Sequence, residues 1–539
     1  MTPNSLKPII YQLLPRLFGN RNVTRKEDGM LAENGCGKLN DIDGRVLRLI
    51  KKMGVTHVWY TGVIRHATQT DYTQFGIPHQ HPAIVKGKAG SPYAIVDYYD
   101  IDPDLAVDVP QRMQEFDALL RRTHEAGLKV IIDFVPNHVA RQYRSICRPE
   151  GVRDLGEDDD VNNNASPDNN FFYCVGEPFA PQFDINGYEE TPAKATGNDC
   201  FNAHPNRNDW YETVKLNYHS LSTWQKMTDI LLFWAAKGVD GFRCDMAEMV
   251  PVEFWQYAVR RVKEIHPSLV FIGEVYQPQR YRDYLKAGFD WLYDKVGMYD
   301  CLRAIVCGHQ STADITQQWQ ANDDIHNQML YFLENHDEQR LASDFFAGDA
   351  RRGIPALMVS VWMRNNPFML YAGQEFGERG MDCEGFSGRD GRTTIFDYWS
   401  LDTLINGYFD RRHQCKEEKT LAEIYRSVLA IAQNEQAIGE GQFFDLMYVN
   451  PQLAHSQYAF LRKCHDELLI IAVNFAENDV AIDVRIPQHA FDILQLPTRP
   501  FSATDLLTQE QTVVNLLPDV PIHINIDAHA GCILKIKLF

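Results

Sequence analysis

The sequence has no long apolar run, no CxxC pair and no excess of basic residues. No segment reaches the roughly 18 consecutive apolar residues of a membrane-spanning helix, so we expect no membrane partner. The N-terminal stretch has no long apolar segment and contains Pro8 and Pro15, so it does not resemble a signal peptide. The 11 cysteines are scattered, which argues against a disulfide framework or a zinc site and favours a cytoplasmic protein.

The charge balance is strongly acidic, with a formal net charge of −19. Such a field repels nucleic acid and polyanionic substrates, so we expect no nucleic-acid partner, and a neutral substrate such as a sugar is compatible. A chain of 539 residues is long enough for two to four domains. We expect it to act as a monomer or a dimer.

One local pattern recurs along the chain: a helical segment, a glycine and then a short apolar run. The glycines are Gly54, Gly127, Gly238 and Gly288. Glycine suits the left-handed position that ends a helix, and a continuous apolar run is typical of a strand buried on both faces. Helices over 112–126 and 221–237 that alternate with buried strands predict a parallel sheet with right-handed crossovers.

Eight such strands can be read, and eight strand–helix units predict a (β/α)8 TIM barrel. Their predicted starts are near Ile9, His57, Val130, Val239, Val270, Phe289, Leu330 and Pro367.

Two regions do not follow the barrel pattern. The polar stretch 139–215 predicts a small domain inserted after strand 3, so the barrel comprises 1–138 and 216–434. Short strands separated by turn residues over 435–539 predict a C-terminal antiparallel β-sandwich.

Catalytic groups of a barrel lie at the C-terminal ends of its strands. Four of the predicted strands end in charged or polar motifs, which are DFVPNH (133–138), GFRCD (241–245), FIGEV (271–275) and FLENHDEQR (332–340). Taken singly, each acidic residue has an ordinary structural explanation, such as a helix N-cap. Their convergence on one barrel mouth favours a shared site.

Three carboxylates at these ends suit glycoside hydrolysis, which needs an acid and a second carboxylate. Glu274 follows an apolar run, and partial burial would favour its protonated form, as an acid requires. Arg243 lies on the same side of its strand as Asp245 and would hold that carboxylate ionised as a nucleophile. Asp337 could grip sugar hydroxyls beside His336.

These motifs resemble, in order, four motifs of the α-amylase family, glycoside hydrolase family 13. VKLN (214–217), SPYAIVDYYDIDP (91–103) and PFMLYAGQEFG (367–377) resemble further blocks of that family. The family architecture is a barrel with an inserted domain and a C-terminal sandwich, which agrees with the prediction above.

The resemblance implies a role for each matching residue. Asp245 would be the nucleophile, Glu274 the general acid and then the base, and Asp337 the stabiliser of the transition state. The implied substrate-binding residues are Tyr93, His138, Arg243 and His336. Asp133 and Asn137 would brace the loop beneath the site.

The sequence departs from the family after the nucleophile, where Glu248 and Met249 replace the Lys–His pair of many starch-degrading members. This departure implies altered acceptor subsites. Asn137 resembles a ligand of the family's calcium site, but the other ligands are not identifiable, so the sequence leaves calcium open. The acidic run 158–160 could bind a hard cation or form a solvated loop. We expect no organic cofactor.

The predicted function is hydrolysis of α-1,4-glucosidic bonds in starch or maltooligosaccharides. A transglycosylase or a sucrose- or trehalose-type enzyme of the same family remains an alternative. A non-catalytic glycan-binding relative is disfavoured because all three carboxylates are present. An aldolase-like barrel enzyme is disfavoured because no suitable lysine or metal cluster stands at a strand end.

Overall fold

Eight parallel strands close into a barrel in the computed structural model, which describes residues 7–164 and 166–538. Each strand pairs with its neighbours in the chain, and strand 8 closes onto strand 1 through Ile9 and Phe368. Barrel strands 1 to 8 are Ile9–Leu13, His57–Tyr60, Lys129–Phe134, Gly241–Cys244, Val270–Gly273, Trp291–Tyr293, Met329–Phe332 and Phe368–Tyr371. The predicted TIM barrel is confirmed.

Strands 4 and 6 begin two residues later than predicted, and the helix ends explain the difference. The N–H of Val239 donates to the carbonyl of Trp234, and the N–H of Gly238 donates to that of Ala235. These two bonds form a Schellman motif. Val239, the first apolar residue of the predicted strand, therefore belongs to the end of the helix and not to the sheet. Phe289 likewise belongs to the end of the preceding helix, because its N–H donates to the carbonyl of Tyr284.

Helices cover the outside of the barrel, and two of them were predicted from the sequence. The predicted helices over 112–126 and 221–237 are present as Arg112–Glu125 and Leu221–Ala236. No helix in the described ranges is long and apolar enough to cross a bilayer. The other α-helices are Pro15–Phe18, Leu31–Asn34, Gly44–Lys52, Val252–Ile265, Tyr281–Ala287, Asp300–Val306, Ala313–Ala321, Ile354–Trp362, Asp402–Leu404, Lys416–Asn434, Gln436–Gly439 and Gln488–Leu494.

The segment between strand 3 and helix Leu221–Ala236 folds on the carboxyl-end face of the barrel. Its base is a pair of antiparallel strands, His138–Ala140 and Thr213–Lys215, and a second pair joins Tyr173–Cys174 to Ala193–Lys194. It has a small apolar core of its own, to which the loop after barrel strand 2 contributes Ile84. That loop also contains the antiparallel pair Ile64–His66 and Ile95–Ile101.

The C-terminal region consists of antiparallel sheets, as predicted. One sheet pairs Val480–Val484 with Ile522–Ile526. The larger sheet has six strands in the spatial order Gln442–Asp445, Gln457–Cys464, Glu467–Asn474, Ala530–Lys537, Arg499–Asp505 and Gln511–Leu516.

Buried Arg462 joins this region to the barrel. Its guanidinium donates to the carbonyl of Met363 at the barrel side and to those of Ala437, Ile438 and Gly441. Four carbonyls thereby receive hydrogen bonds from one buried side chain.

The glycine that ends helix Leu221–Ala236 gives a stability test. Gly238 has φ +101°, and an added Cβ would meet only a His124 carbon at 3.9 Å. Backbone strain alone should therefore make Gly238→Ala destabilising, by about 1 kcal/mol. Gly44 begins a helix at negative φ, so Gly44→Ala should be neutral or stabilising. Urea unfolding followed by circular dichroism measures both, and equal midpoints for the two variants would contradict the assignment.

Candidate active site

A fully buried arginine organises the carboxyl ends of the barrel strands. Arg243, on strand 4, places Nη1 2.7 Å from Oδ1 of Asp245 and Nη2 2.9 Å from Oε2 of Glu274. Nη1 also lies 3.6 Å from Oδ1 of Asp133. The contact with Asp245 is a hydrogen bond, whereas Nη2 is not aligned to donate to Glu274. One cation therefore stands against three acidic groups and offsets part of their charge.

Asp245 and Glu274 are 6% and 3% exposed, so both are largely removed from water. Burial raises the pKa of the Asp245 carboxyl; Arg243 opposes the rise, and the charges of Glu274 and Asp337 add to it. The sequence prediction counted only the effect of Arg243.

Two hydrogen bonds fix the position of Glu274. The N–H of Met246 donates to Oε2 at 2.7 Å, and the hydroxyl of Tyr276 donates to Oε1 at 2.5 Å. Met246 has φ +42°, a left-handed conformation that turns the chain directly after Asp245. The Glu274 side chain is thus held by the turn after strand 4 as well as by its own strand 5.

Asp337 lies on the far side of the same pocket, after strand 7. Its side chain is 43% exposed and lines the cavity. Burial acts against its ionisation, but His336, Arg243 and Arg392 outweigh that effect and lower the pKa of Asp337 to about 2. This carboxyl is therefore ionised at neutral pH.

His336 braces the neighbouring groups. Its Nδ1 lies 2.7 Å from the amide nitrogen of Gln12, and its Nε2 contacts the Tyr93 hydroxyl at 2.5 Å and Oδ2 of Asp337 at 3.0 Å. A sugar hydroxyl can reach Nε2 only by replacing one of these contacts. The stacked ring of Tyr93 borders the cavity instead.

His138 borders the cavity on the side of the insertion. Its ring packs against Trp210, with 5.3 Å between ring centroids. Burial lowers the pKa of His138 to about 3, and the charges of Lys215 and Lys86 act in the same direction. The imidazole is therefore neutral and can exchange hydrogen bonds with sugar hydroxyls.

The predicted catalytic residues and two predicted binding residues line one cavity of about 340 Å³. Arg243 and His336 lie directly behind its wall. The lining residues are Lys86, Ser91, Tyr93, His138, Trp210, Glu212, Thr213, Asp245, Met246, Glu274, Tyr276, Asp337, Ile395 and Phe396.

Asp133 is a bracing residue, as the sequence suggested. Its Oδ2 accepts hydrogen bonds from the indole of Trp59 and the N–H of Gly62, both at 3.1 Å. These contacts fix the end of strand 3 against the loop after strand 2.

The side chain of Asn137, which resembles a calcium ligand of the family, is hydrogen-bonded through both its oxygen and its nitrogen. Its Oδ1 accepts a hydrogen bond from the ammonium of Lys215, and its Nδ2 donates to the carbonyl of Gly197 at 2.8 Å. Lys215 also pairs with Oδ1 of Asp199 at 2.8 Å. A divalent cation prefers a cage of free oxygens. Here the Lys215 ammonium donates to the side-chain oxygen of Asn137, and the backbone carbonyl of Asn137 accepts from the N–H of Leu216.

The residues that depart from the family pattern have a structural role. Oε2 of Glu248 accepts from the N–H groups of Tyr276 and Gln277, at 2.9 and 3.1 Å. It therefore holds the loop that carries Tyr276, whose hydroxyl contacts Glu274. Met249 ends the short 3-10 turn Ala247–Met249.

The acidic run 158–160 is used within its own loop. Asp159 accepts hydrogen bonds from the N–H groups of Asn170 and Phe171, and Asp158 pairs with Arg153. These contacts favour the loop interpretation over a cation site.

Sequence reasoning missed Lys86, Glu212 and Tyr276, which all line the cavity. Tyr276 could have been predicted, because it lies two residues after Glu274 and so points to the same side of an extended chain. Lys86 and Glu212 lie in irregular segments without a motif.

Comparisons with known proteins identify the family of this chain. Residues 12–433 match the Alpha-amylase family, described as alpha amylase, catalytic domain. Alpha-amylase 3 of Dictyoglomus thermophilum is 27% identical over 53% of this chain and 54% of that protein, so the chain spans about half of its length. Neopullulanase 2 of Thermoactinomyces vulgaris is 21% identical over 89% of this chain and 71% of that protein.

A solved structure shares the fold over nearly the whole chain. The alpha-amylase from Geobacillus thermoleovorans, complexed with acarbose, superposes with a TM-score of 0.68 at 20% identity, covering 98% of each chain. The family match covers well over half of the sequence and contains the barrel strands that carry Asp245, Glu274 and Asp337. The chain belongs to the α-amylase family, glycoside hydrolase family 13.

Proposed function

We propose that the enzyme hydrolyses α-1,4-glucosidic bonds of maltooligosaccharides with retention of anomeric configuration. The observation that carries the proposal is the bridging of Asp245 and Glu274 by the single guanidinium of Arg243. Retaining enzymes hold their two carboxyls about 5 Å apart, and inverting enzymes leave room for a water between them. Two carboxyls on one guanidinium favour the closer spacing.

In the first step, Glu274 transfers its proton to the glycosidic oxygen as the bond from that oxygen to the anomeric carbon breaks. A carboxylate oxygen of Asp245 forms a bond to the anomeric carbon, and the leaving sugar departs with the proton. Arg243 donates to Asp245 and orients it for attack. Asp337, which stays ionised, stabilises the positive charge that develops on the sugar ring.

In the second step, Glu274 takes a proton from water, and the water oxygen attacks the anomeric carbon. The bond to Asp245 breaks, and both carboxyls return to their starting states. Transfer to a second sugar instead of water is the alternative outcome of this step. Maltoheptaose separates the two, because hydrolysis gives only shorter products and transfer also gives longer ones.

We further propose that the active site functions without calcium. The support is the Lys215 ammonium between Asn137 and Asp199, which supplies a positive charge at the base of the insertion. Lys215 belongs to a strand that pairs with the strand of His138. A cation is thus already present where the insertion meets the barrel.

Paired substitutions test the two catalytic roles. Glu274→Gln and Asp245→Asn should each lower maltoheptaose hydrolysis by about 10³-fold or more. With α-maltosyl fluoride, whose leaving group needs no acid, Glu274→Gln should still form the covalent intermediate, and mass spectrometry should show the added maltosyl group. Asp245→Asn should show none. Exposed Glu253→Gln is the control, and an adduct on the Asp245 variant would exclude Asp245 as the nucleophile.

Chelation tests the calcium proposal. Excess EDTA should change neither the maltoheptaose activity nor the melting temperature, and added calcium should raise neither. Lys215→Met should cost about 1–2 kcal/mol of stability, because it removes a hydrogen-bonded charge from Asn137 and half-exposed Asp199. Lys237→Met, which breaks a pair with Asp117, is the control. A melting temperature that falls by several degrees in EDTA would refute the proposal.

A further inference from the structure

The cavity has one wall that the catalytic mechanism does not use. In the barrel order, strand 5 lies opposite strand 1, and the loops after strands 2 and 8 flank strand 1. Glu274, the proposed acid, follows strand 5 and faces the leaving sugar. The wall formed by the loops after strands 2 and 8 therefore lies on the opposite side, toward the non-reducing end of the substrate.

These two loops are bonded to each other at backbone level. The N–H of Ala89, after strand 2, donates to the carbonyl of Phe396, after strand 8, at 2.9 Å. Gly87 packs so closely that an added Cβ would lie 2.2 Å from the same carbonyl oxygen. Buried Arg16 donates to the carbonyls of both Gly90 and Ile395. The two loops thus meet and close this side of the cavity.

An ion pair ties the same wall to the insertion. Lys86 places its ammonium 2.8 Å from Oε1 of Glu212, and these two side chains are only 15% and 5% exposed. Ile84 of the same loop packs into the apolar core of the insertion. The wall is therefore held by the barrel and by the insertion.

Glu212 carries a polar atom that the protein leaves unsatisfied. The residue is 4% exposed and lines the cavity, and its Oε2 has no hydrogen-bond partner among the described residues. An unpaired buried carboxylate oxygen costs free energy, so a ligand donor is expected there. A sugar hydroxyl is such a donor, and Lys86 can donate to a second hydroxyl.

We infer that the cavity is a blind pocket in which Glu212 and Lys86 bind the hydroxyls of the terminal sugar at the non-reducing end of an α-glucan. The enzyme then cleaves from chain ends and does not act at internal bonds. This inference rests on the proposed function, because it assigns the substrate end to the same catalytic site. It adds two substrate-binding residues to that site.

A capped substrate tests the inference in the unmodified protein. We expect 4-nitrophenyl α-maltoheptaoside to be hydrolysed with release of one small sugar from the start. The same compound with a 4,6-O-ethylidene cap on its non-reducing end should be cleaved with kcat/KM at least about tenfold lower. A smaller difference overturns the blind pocket while leaving the proposed hydrolysis intact. Cleavage of neither compound would reject the proposed function, and the inference with it.

Variants of Glu212 and Lys86 test whether these residues bind the terminal sugar. Glu212→Gln and Lys86→Met should lower kcat/KM for the uncapped compound by about tenfold or more, the effect of losing a charge-assisted hydrogen bond. Their preference for the uncapped over the capped compound should fall as well. Exposed Glu177→Gln in the insertion and Lys88→Met in the same loop are matched controls. An unchanged preference in variants that melt like the unmodified protein overturns the assignment.

Discussion

The buried guanidinium of Arg243 is the interaction on which the site depends. It lies within 3.6 Å of Asp133, Asp245 and Glu274, and all four groups are largely removed from water. Burying several carboxylates without a cation would cost several kcal/mol for each ion. Strand 4 delivers the cation from the barrel interior, so the acidic groups can stay close together at one end of the barrel.

Other buried arginines also join segments that are distant in the chain. Arg16 links the loops after strands 2 and 8 through their carbonyls, and Arg462 links the barrel to the C-terminal sheets. An arginine can satisfy several carbonyls at once because its planar group carries five donors. The catalytic loops are therefore positioned by polar contacts as much as by apolar packing.

The parts of the fold that could be predicted depend on local chemistry. Gly238 and Gly288 mark helix ends because only the left-handed conformation fits there, and both have positive φ. The barrel strands follow from buried apolar runs, and their ends locate Asp245 and Glu274. The exact strand starts could not be read, because apolar Val239 serves the helix end instead of the sheet.

The contacts that could not be predicted depend on chain segments that meet only in the folded protein. Lys86 and Glu212 are 126 positions apart in irregular segments, and no spacing rule relates them. The contact of Lys215 with Asn137 likewise requires two strands of the insertion to pair. The effect of burial on Asp245 was missed because a sequence shows the neighbouring arginine but not the loss of water.

Lys215 has a consequence for how the insertion assembles. A metal ion that joins two segments must be captured from solution, so assembly then depends on the ion's concentration and on competing chelators. An ammonium group on the chain is present at a fixed ratio of one per molecule and cannot diffuse away. If the site functions without calcium, as proposed, docking of the insertion on the barrel is a unimolecular event and proceeds to the same extent in media rich or poor in divalent ions.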